Sequence, residues 1–298
     1  LGQNALLADL AVLTSADTSA LWNILPSATR NALLELLASI PTPRILSTGE
    51  GLRRAIEYAG NQFEYRLRKN VQQPSGRGSE WLHTDWKASL LKLLESLPAS
   101  PSGRLPEAPS IPTPPPLARQ PLIPQPRLPS LALGQSEDDL QAFIGTLRQH
   151  VRGALARINI AVLESHPLAL TQTLTTMAWM IELPLQTQGG YDLLALRIHR
   201  ESSANVTFPP HAHAWRLAFA MDLSGLGPVE GEVSLVGDHV DVTLWAERNT
   251  TQQRLQKMFN GIASNLREAG LKPQRLNCHA GLRKRTRIGS RGLLDTTA

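Results

Sequence analysis

Large apolar side chains alternate with small or polar ones between Trp215 and Leu223. Trp215, Leu217, Phe219, Met221 and Leu223 fall on one side, and Arg216, Ala218, Ala220 and Asp222 on the other. A period of two is that of a half-buried strand. After the break Ser224-Gly225-Leu226-Gly227-Pro228 the alternation resumes through Val229, Gly231, Val233 and Leu235. It turns at Gly237-Asp238 and returns through Val240, Val242, Leu244 and Ala246, which predicts a hairpin. The period then lengthens. Leu255, Met258, Phe259, Ile262, Ala263, Leu266 and Ala269 recur at helical spacing, predicting one amphipathic helix of roughly five turns. Thr250 with Gln253 reads as a capping box at its start, with Asn249 as the competing cap. Gly270, placed just past the C-cap, lets Leu266 and Leu271 meet across a Schellman ending, and Pro273 forbids continuation. A last strand, Gln274 to Ala280, turns Leu276 and Cys278 inward.

The same two periods organise the chain upstream. Ala32, Leu33, Leu36, Leu37 and Ile40 keep helical spacing, and residues 4–40 predict two or three short helices. Ser47-Thr48-Gly49-Glu50 opens a helix through Leu52, Ile56, Phe63 and Leu67, and another is expected from about Glu80 to Leu97. Each has one apolar face, to be covered by its neighbours in a small bundle or by docking on another unit. Leu140, Phe143, Ile144, Leu147, Val151, Leu155, Ile158 and Val162 stripe a long helix over 137–164, with Glu137, Asp138 and Asp139 complementing its dipole. Trp179, Ile181, Leu183 and Leu185, then Leu194, Leu196 and Ile198, predict a second hairpin across Gln188-Gly189-Gly190. Trp179 and Trp215 share register with apolar strand faces and are expected in the core. Trp245 is out of register with Val240, Val242, Leu244 and Ala246. It meets either a second covering element, for which the long helix is the candidate, or a partner.

Proline divides the chain. Twelve of its 22 prolines fall between Pro98 and Pro129, a density that no helix or central strand tolerates. The fold class expected is α+β: an N-terminal helical region over 1–97, a Pro-rich linker over 98–135, and a C-terminal mainly antiparallel sheet with a packed helix over 136–282. That last unit has its core at 172–282, preceded by the helix at 137–164, and a basic disordered tail at 283–298 follows it. A polyproline-like spacer of this length would reach roughly 100 Å if fully extended.

Charge changes little in this picture. The formal net charge is +5, and Arg283, Lys284, Arg285, Arg287 and Arg291 stand against Asp295 near the C-terminus, so the basicity is expected to be a property of the tail. Such a run attracts polyanions without reading sequence, so no specific nucleic acid is expected as a partner. An acidic protein surface is the other candidate. The single cysteine, Cys278, excludes an intrachain disulfide framework and a cysteine-rich zinc module. No apolar run approaches the roughly 20 residues of a membrane span, so a soluble chain made in the cytoplasm is expected. It opens on Leu1, which suggests a trimmed or missing start.

Candidate chemistry is sparse. His211 and His213 are two apart and His279 adjoins Cys278, but no HExxH and no carboxylate at ligand spacing accompany them. No metal site or cofactor is therefore expected. There is no GxSxG elbow, and Gly225-Leu226-Gly227-Pro228 leads into a strand, with Pro228 removing an amide that a phosphate would need. The residues point to an interaction protein, not an enzyme.

The run Leu226-Gly227-Pro228, then strand, turn and strand ending in Leu244-Trp245-Ala246-Glu247, then a helix closing in Glu268-Ala269-Gly270-Leu271, resembles the C-terminal domain of bacterial flagellar hook-length control proteins. Segments such as Gly51-Leu52-Arg53-Arg54-Ala55-Ile56 and Asp85-Trp86-Lys87-Ala88-Ser89-Leu90-Leu91 resemble stretches ahead of that domain in some members. So does Gly153-Ala154-Leu155-Ala156-Arg157-Ile158. Leu226, Gly227, Pro228, Trp245, Leu266, Gly270 and Leu271 carry over as fold markers. The resemblance implies export through the flagellar type III apparatus, hook components as further partners, and a contact with the export-gate switch protein that changes substrate class. Trp245, Arg283, Lys284, Arg285 and Arg287 are the candidate partner contacts. The alternative is a cytoplasmic adaptor or regulator that carries the same domain and is never exported.

Overall fold

The alternating runs pair in chain order. The computed structural model describes residues 2–15, 22, 25–72, 80–98, 120–128, 136–165, 178–201 and 214–283. Six strands form one sheet: β1 (Ala178–Thr187), β2 (Gly190–Glu201), β3 (Ala214–Leu223), β4 (Gly227–Val236), β5 (His239–Ala246) and β6 (Lys272–Ala280). Neighbours run antiparallel except β5 and β6. That last pair is parallel because the chain crosses back through helices, which a tight turn cannot do. The architecture is α+β, as the periods imply.

The helices are α1 (Gln3–Leu13), α2 (Ser27–Ser39), α3 (Pro43–Leu46), α4 (Gly49–Glu57), α5 (Phe63–Gln72), α6 (Trp86–Ser96), α7 (Glu137–Ser165), α8 (Asn249–Lys257) and α9 (Phe259–Glu268). A 3-10 turn at Glu80–His83 precedes α6. Two predicted helices are each broken in two. The first parts at Tyr58 to Gln62, where Gly60 has φ +92° and a side chain there would lie 2.8 Å from Lys87 Cβ. Lys87 can approach only because Gly60 lacks a Cβ, and the Trp86 N–H bonds the Tyr58 carbonyl at 2.9 Å. The second parts at Met258, between α8 and α9.

The apolar faces of the N-terminal helices are covered by each other and by the rest of the chain. Leu6 and Leu10 of α1, Leu33 and Leu36 of α2, Trp86 and Leu90 of α6, and Leu147, Val151 and Ile158 of α7 form one buried cluster that also takes in Tyr191 and Leu193 of β2. The opposite face of β1 and β2 packs Ile181, Leu183, Leu194 and Leu196 against Leu52, Ala55, Ile56 and Ala59. Burial on both faces explains why β1 is buried without a break from Met180 to Leu185.

The stretch expected to be an extended spacer contributes to this packing. Residues 120–128 cross the sheet without regular structure, and Leu122 sits among Ala161, Met180, Ala195, Ala218 and Ala220. Three alanines on neighbouring strands leave a shallow trough that admits a chain segment. Its prolines have no N–H, but their carbonyls and those beside them need donors. Asn4 supplies one to the Pro126 carbonyl at 2.8 Å and Arg197 one to the Gln120 carbonyl at 2.6 Å. Arg127 pairs with Asp192 at 2.7 Å. At least this part of the proline-rich stretch is a strap across the fold, not a free tether.

A buried ion pair ties the layers together. Arg157 of α7 donates from Nε to Glu182 Oε2 of β1 at 2.8 Å, and Nη2 contacts the other carboxylate oxygen. Gln3 of α1 donates to the same carboxylate at 3.3 Å and accepts from the Trp86 indole at 3.2 Å, while Gln125 of the strap accepts from Arg157. Five segments distant in sequence thus meet at one charge pair.

Asp85 caps α6 by accepting from the Ala88 N–H at 3.1 Å, and its fully enclosed carboxyl lies 3.4 Å from Arg66. Burial pushes its pKa up to about 6, against the pull of the cap and of Arg66. The folded state therefore holds this proton more tightly than the unfolded chain, whose Asp titrates at about 3.9. The resulting stabilisation is fully present below the unfolded value and is lost as pH rises through about 6. Asp85→Asn, which stays neutral and still caps, is expected to remove a slope worth on the order of 2–3 kcal/mol over that window. Urea unfolding of both proteins at several pH values measures it; parallel pH profiles would refute the assignment.

Candidate functional site

The turn between β3 and β4 is built to hold a helix start. Gly225 and Gly227 have φ of +76° and +78°, a backbone that favours glycine, and a side chain on Gly227 would meet Arg248 Nε at 2.8 Å. Arg248 donates to the Gly225 carbonyl at 3.2 Å, Thr251 Oγ1 donates to the Leu226 carbonyl at 2.6 Å, and the Glu247 N–H bonds the Pro228 carbonyl at 3.0 Å. The Thr250 and Gln253 capping box does not form. Arg248 occupies the N-cap position without a side-chain cap, and Asn249, Thr250 and Thr251 already lie in the first turn of α8. The helix start is anchored to the preceding turn instead.

At the other end, Leu271 N–H bonds the Leu266 carbonyl and Gly270 N–H the Arg267 carbonyl, each at 2.9 Å, with Gly270 at φ +80°. This is the Schellman geometry. Leu266 and Leu271 join Leu255, Phe259, Leu276 and Cys278 over Val240, Val242 and Leu244. In the same layer a side chain on Gly231 would lie 2.2 Å from the Phe219 ring, so the glycine makes room for that ring across β4. Leu226, Gly227, Pro228, Leu266, Gly270 and Leu271 thus hold the two ends of the α8–α9 crossover.

Trp245 points to the opposite face. It pairs across with Glu230, stacks on His279 with ring centroids 5.9 Å apart, and carries the Arg283 guanidinium at 5.0 Å from its centroid. The α7 helix does not cover it; α7 lies over β1 and β2. Arg283 is held in place by Glu232 at 2.8 Å from its guanidinium and by Glu230, which accepts from its backbone N–H at 3.3 Å. Arg216 reaches the same Glu232 at 3.1 Å. Lys284, Arg285 and Arg287 lie outside the described residues, as do His211 and His213. The alternation of β4, which places Glu230 and Glu232 on the face of Trp245, is the one sequence signal for these two acids.

Trp179 and Trp215 are not buried in the core. They stack on each other at 6.0 Å, both partly exposed, with Arg200 at 5.8 Å from the Trp215 ring. Cys278 and His279 turn to opposite faces of β6, Cys278 inward, where burial raises its thiol pKa. Among the described residues no three His, Cys, Asp or Glu side chains gather at ligand distance. A cleft of about 600 Å³ lies elsewhere, between α3, α4 and β1, lined by Ile40, Pro41, Ile45, Arg54, Trp86 and Leu183. No described helix is long and apolar enough to cross a membrane.

Outside the tail the charges nearly balance, 25 basic against 24 acidic residues over 1–282, but they are unevenly placed. From Arg248 to Arg275 six basic residues, Arg248, Arg254, Lys257, Arg267, Lys272 and Arg275, face one acid, Glu268. Lys272 and Arg275 pair with Asp238 and Asp241 at 2.7 and 3.0 Å, and Lys272 holds the Asp238 carboxyl below the usual carboxylate range. Among the described residues Arg254, Lys257 and Arg267 have no ion-pair partner.

Together these features define an α+β module in which a β-α-β crossover ends an antiparallel sheet and its helices expose Arg254, Lys257 and Arg267. Residues 205–286 match the family model of the flagellar hook-length control protein FliK, and over this segment the resemblance seen in the residues is shown. That family description names a control protein and not an enzyme. No curated protein and no solved structure matches the chain.

Proposed function

We propose that this protein acts in flagellar hook-length control and that its C-terminal module contacts the export-gate switch protein, changing export from hook-type to filament-type substrates. The observation that carries the reading is the family match over 205–286 on a module whose marker residues lock its own fold. Because those markers are engaged in turns and helix ends, the solvent-facing residues around them are left for a partner. Trp245 and Arg283 are the described candidates, with Lys284, Arg285 and Arg287 following them in sequence.

A resident adaptor that is never exported is the second reading, and the continuous core favours it. Helical residues rise about 1.5 Å each, so α1 to α7 folded on the sheet span far less than the same residues extended. Export through a narrow channel would require that core to unfold first.

The test is the distribution of hook lengths, by electron microscopy, in cells lacking the gene and in cells expressing only residues 1–171. Overlong hooks without filaments are expected in both strains. Normal hooks and filaments in the deletion strain would remove the hook-length role and leave the adaptor.

A further inference from the structure

The two edges of the sheet are treated differently. On β1 the outward backbone groups are occupied: Met180 N–H bonds Ser165 Oγ at 3.0 Å, the Met180 carbonyl accepts from Asn61 at 2.7 Å, and Gln186 N–H bonds the Pro41 carbonyl at 2.9 Å. Pro184 has no N–H to offer. These are devices that block a further strand.

On β6, beyond Pro273, the described residues supply almost none. Gly281 N–H reaches the Ala246 carbonyl at 2.8 Å, which sets the phase of the parallel ladder. From Arg275 onward residues of odd number face β5, and Leu276, Cys278 and Ala280 turn their backbone groups outward. Among the described residues the only bond onto that edge is a 3.3 Å contact from the Gln252 side chain to the Cys278 carbonyl. The flanking side chains Gln274, Arg275, Asn277 and His279 are exposed.

We propose that the outer edge of β6 accepts an extended acidic segment of another protein as a seventh strand. Backbone bonding would supply affinity, and the charge around the edge would choose the partner. Exposed Arg254, Lys257 and Arg267, without ion-pair partners among the described residues, lie on the helices packed against it, while Lys272, Arg275 and Arg283 are already paired with Asp238, Asp241 and Glu232. A second copy of this chain would bring the same cations together, which disfavours edge-to-edge pairing of two molecules. A segment with acids at alternate positions would meet them with opposite charge. This deepens the contact reading above by naming the surface and the partner's chemistry, and it rests on that reading only in taking the module to be a contact surface.

The test uses the full chain and a synthetic decapeptide of alternating Glu and Val, with the Lys and Val counterpart as control, followed by hydrogen exchange at low salt. Slowed exchange confined to 272–280 is expected with the Glu peptide only. The double variant Arg254→Glu/Lys257→Glu, altered only in exposed side chains that have no ion-pair partner among the described residues, is expected to weaken that binding at least tenfold and to admit the Lys peptide. No protection up to millimolar Glu peptide, protection elsewhere, equal binding of both peptides, or a β6-mediated dimer in sedimentation would each overturn the proposal. Peptide binding in a protein whose deletion leaves hooks normal would refute the flagellar reading and keep the edge. Overlong hooks on deletion without peptide binding would do the reverse.

Discussion

Replacing Arg157 by alanine is expected to lower the unfolding free energy by about 3–5 kcal/mol, the range for breaking a buried ion pair from one side. Both partners are almost fully enclosed, Arg157 at 4% exposure and Glu182 at 3%. Removing the guanidinium leaves a carboxylate beside Gln3 alone, with no route to water, and it also strips Gln125 and hence the strap of a donor. The cost is that of an uncompensated buried charge, not of one hydrogen bond. The double variant Arg157→Met/Glu182→Leu, which removes both charges and keeps most of the volume, is therefore expected to recover most of the loss. Urea unfolding of the three proteins measures it. A loss below about 1 kcal/mol for the single variant would mean that water reaches the pair.

Leu147→Ala is expected to cost about 2–5 kcal/mol, the range for truncating a large buried aliphatic side chain. Leu147 is fully buried on α7, in the cluster that joins the N-terminal helices to Tyr191 and Leu193 of β2. Such a site has little freedom to collapse, because helices on one side and a sheet on the other hold its walls apart. The cluster also predicts how the loss is shared. Helical circular dichroism and tryptophan fluorescence should shift together, since the cavity weakens a core that α1, α2, α6 and α7 share with the sheet edge. Fluorescence that kept its midpoint while helicity melted earlier would separate the two as independent units.

How much of this was legible in the sequence varies with the range of the interaction that decides it. Periods of two and 3.6 placed all six strands and both hairpin turns, because side-chain alternation is a local consequence of backbone geometry. The Gly270 ending was legible for the same reason, since its bonds span only Leu266 to Leu271. The helix break at Gly60 was not, because it depends on Lys87 arriving from another helix. The capping box at Thr250 failed because the preceding turn supplied other partners for the residues at the helix start. The two stacked tryptophans show the limit of register: it gave Trp179 and Trp215 the correct face, but whether a face is covered at a given point depends on which helices land there.

The candidate contact surface divides in the same way. The exposed basic residues of α8, α9 and β6 can be counted in the chain, yet only the parallel pairing of β5 with β6 makes them the border of an open sheet edge. The alternation in β4 put Glu230 and Glu232 on one side, but their hold on Arg283 requires the chain to return from β6 across that face. By itself, then, the sequence determined the six strands, their order along the chain, the α+β class and the helix ending at Gly270, all set by contacts a few residues apart. Only the tertiary structure decided that part of the proline-rich stretch is a strap, that the N-terminal helices share a core with the sheet, and which sheet edge stays open. Those outcomes depend on partners tens to hundreds of residues away, such as Asn4 with Pro126 and Gln3 with Glu182, and no local period encodes them.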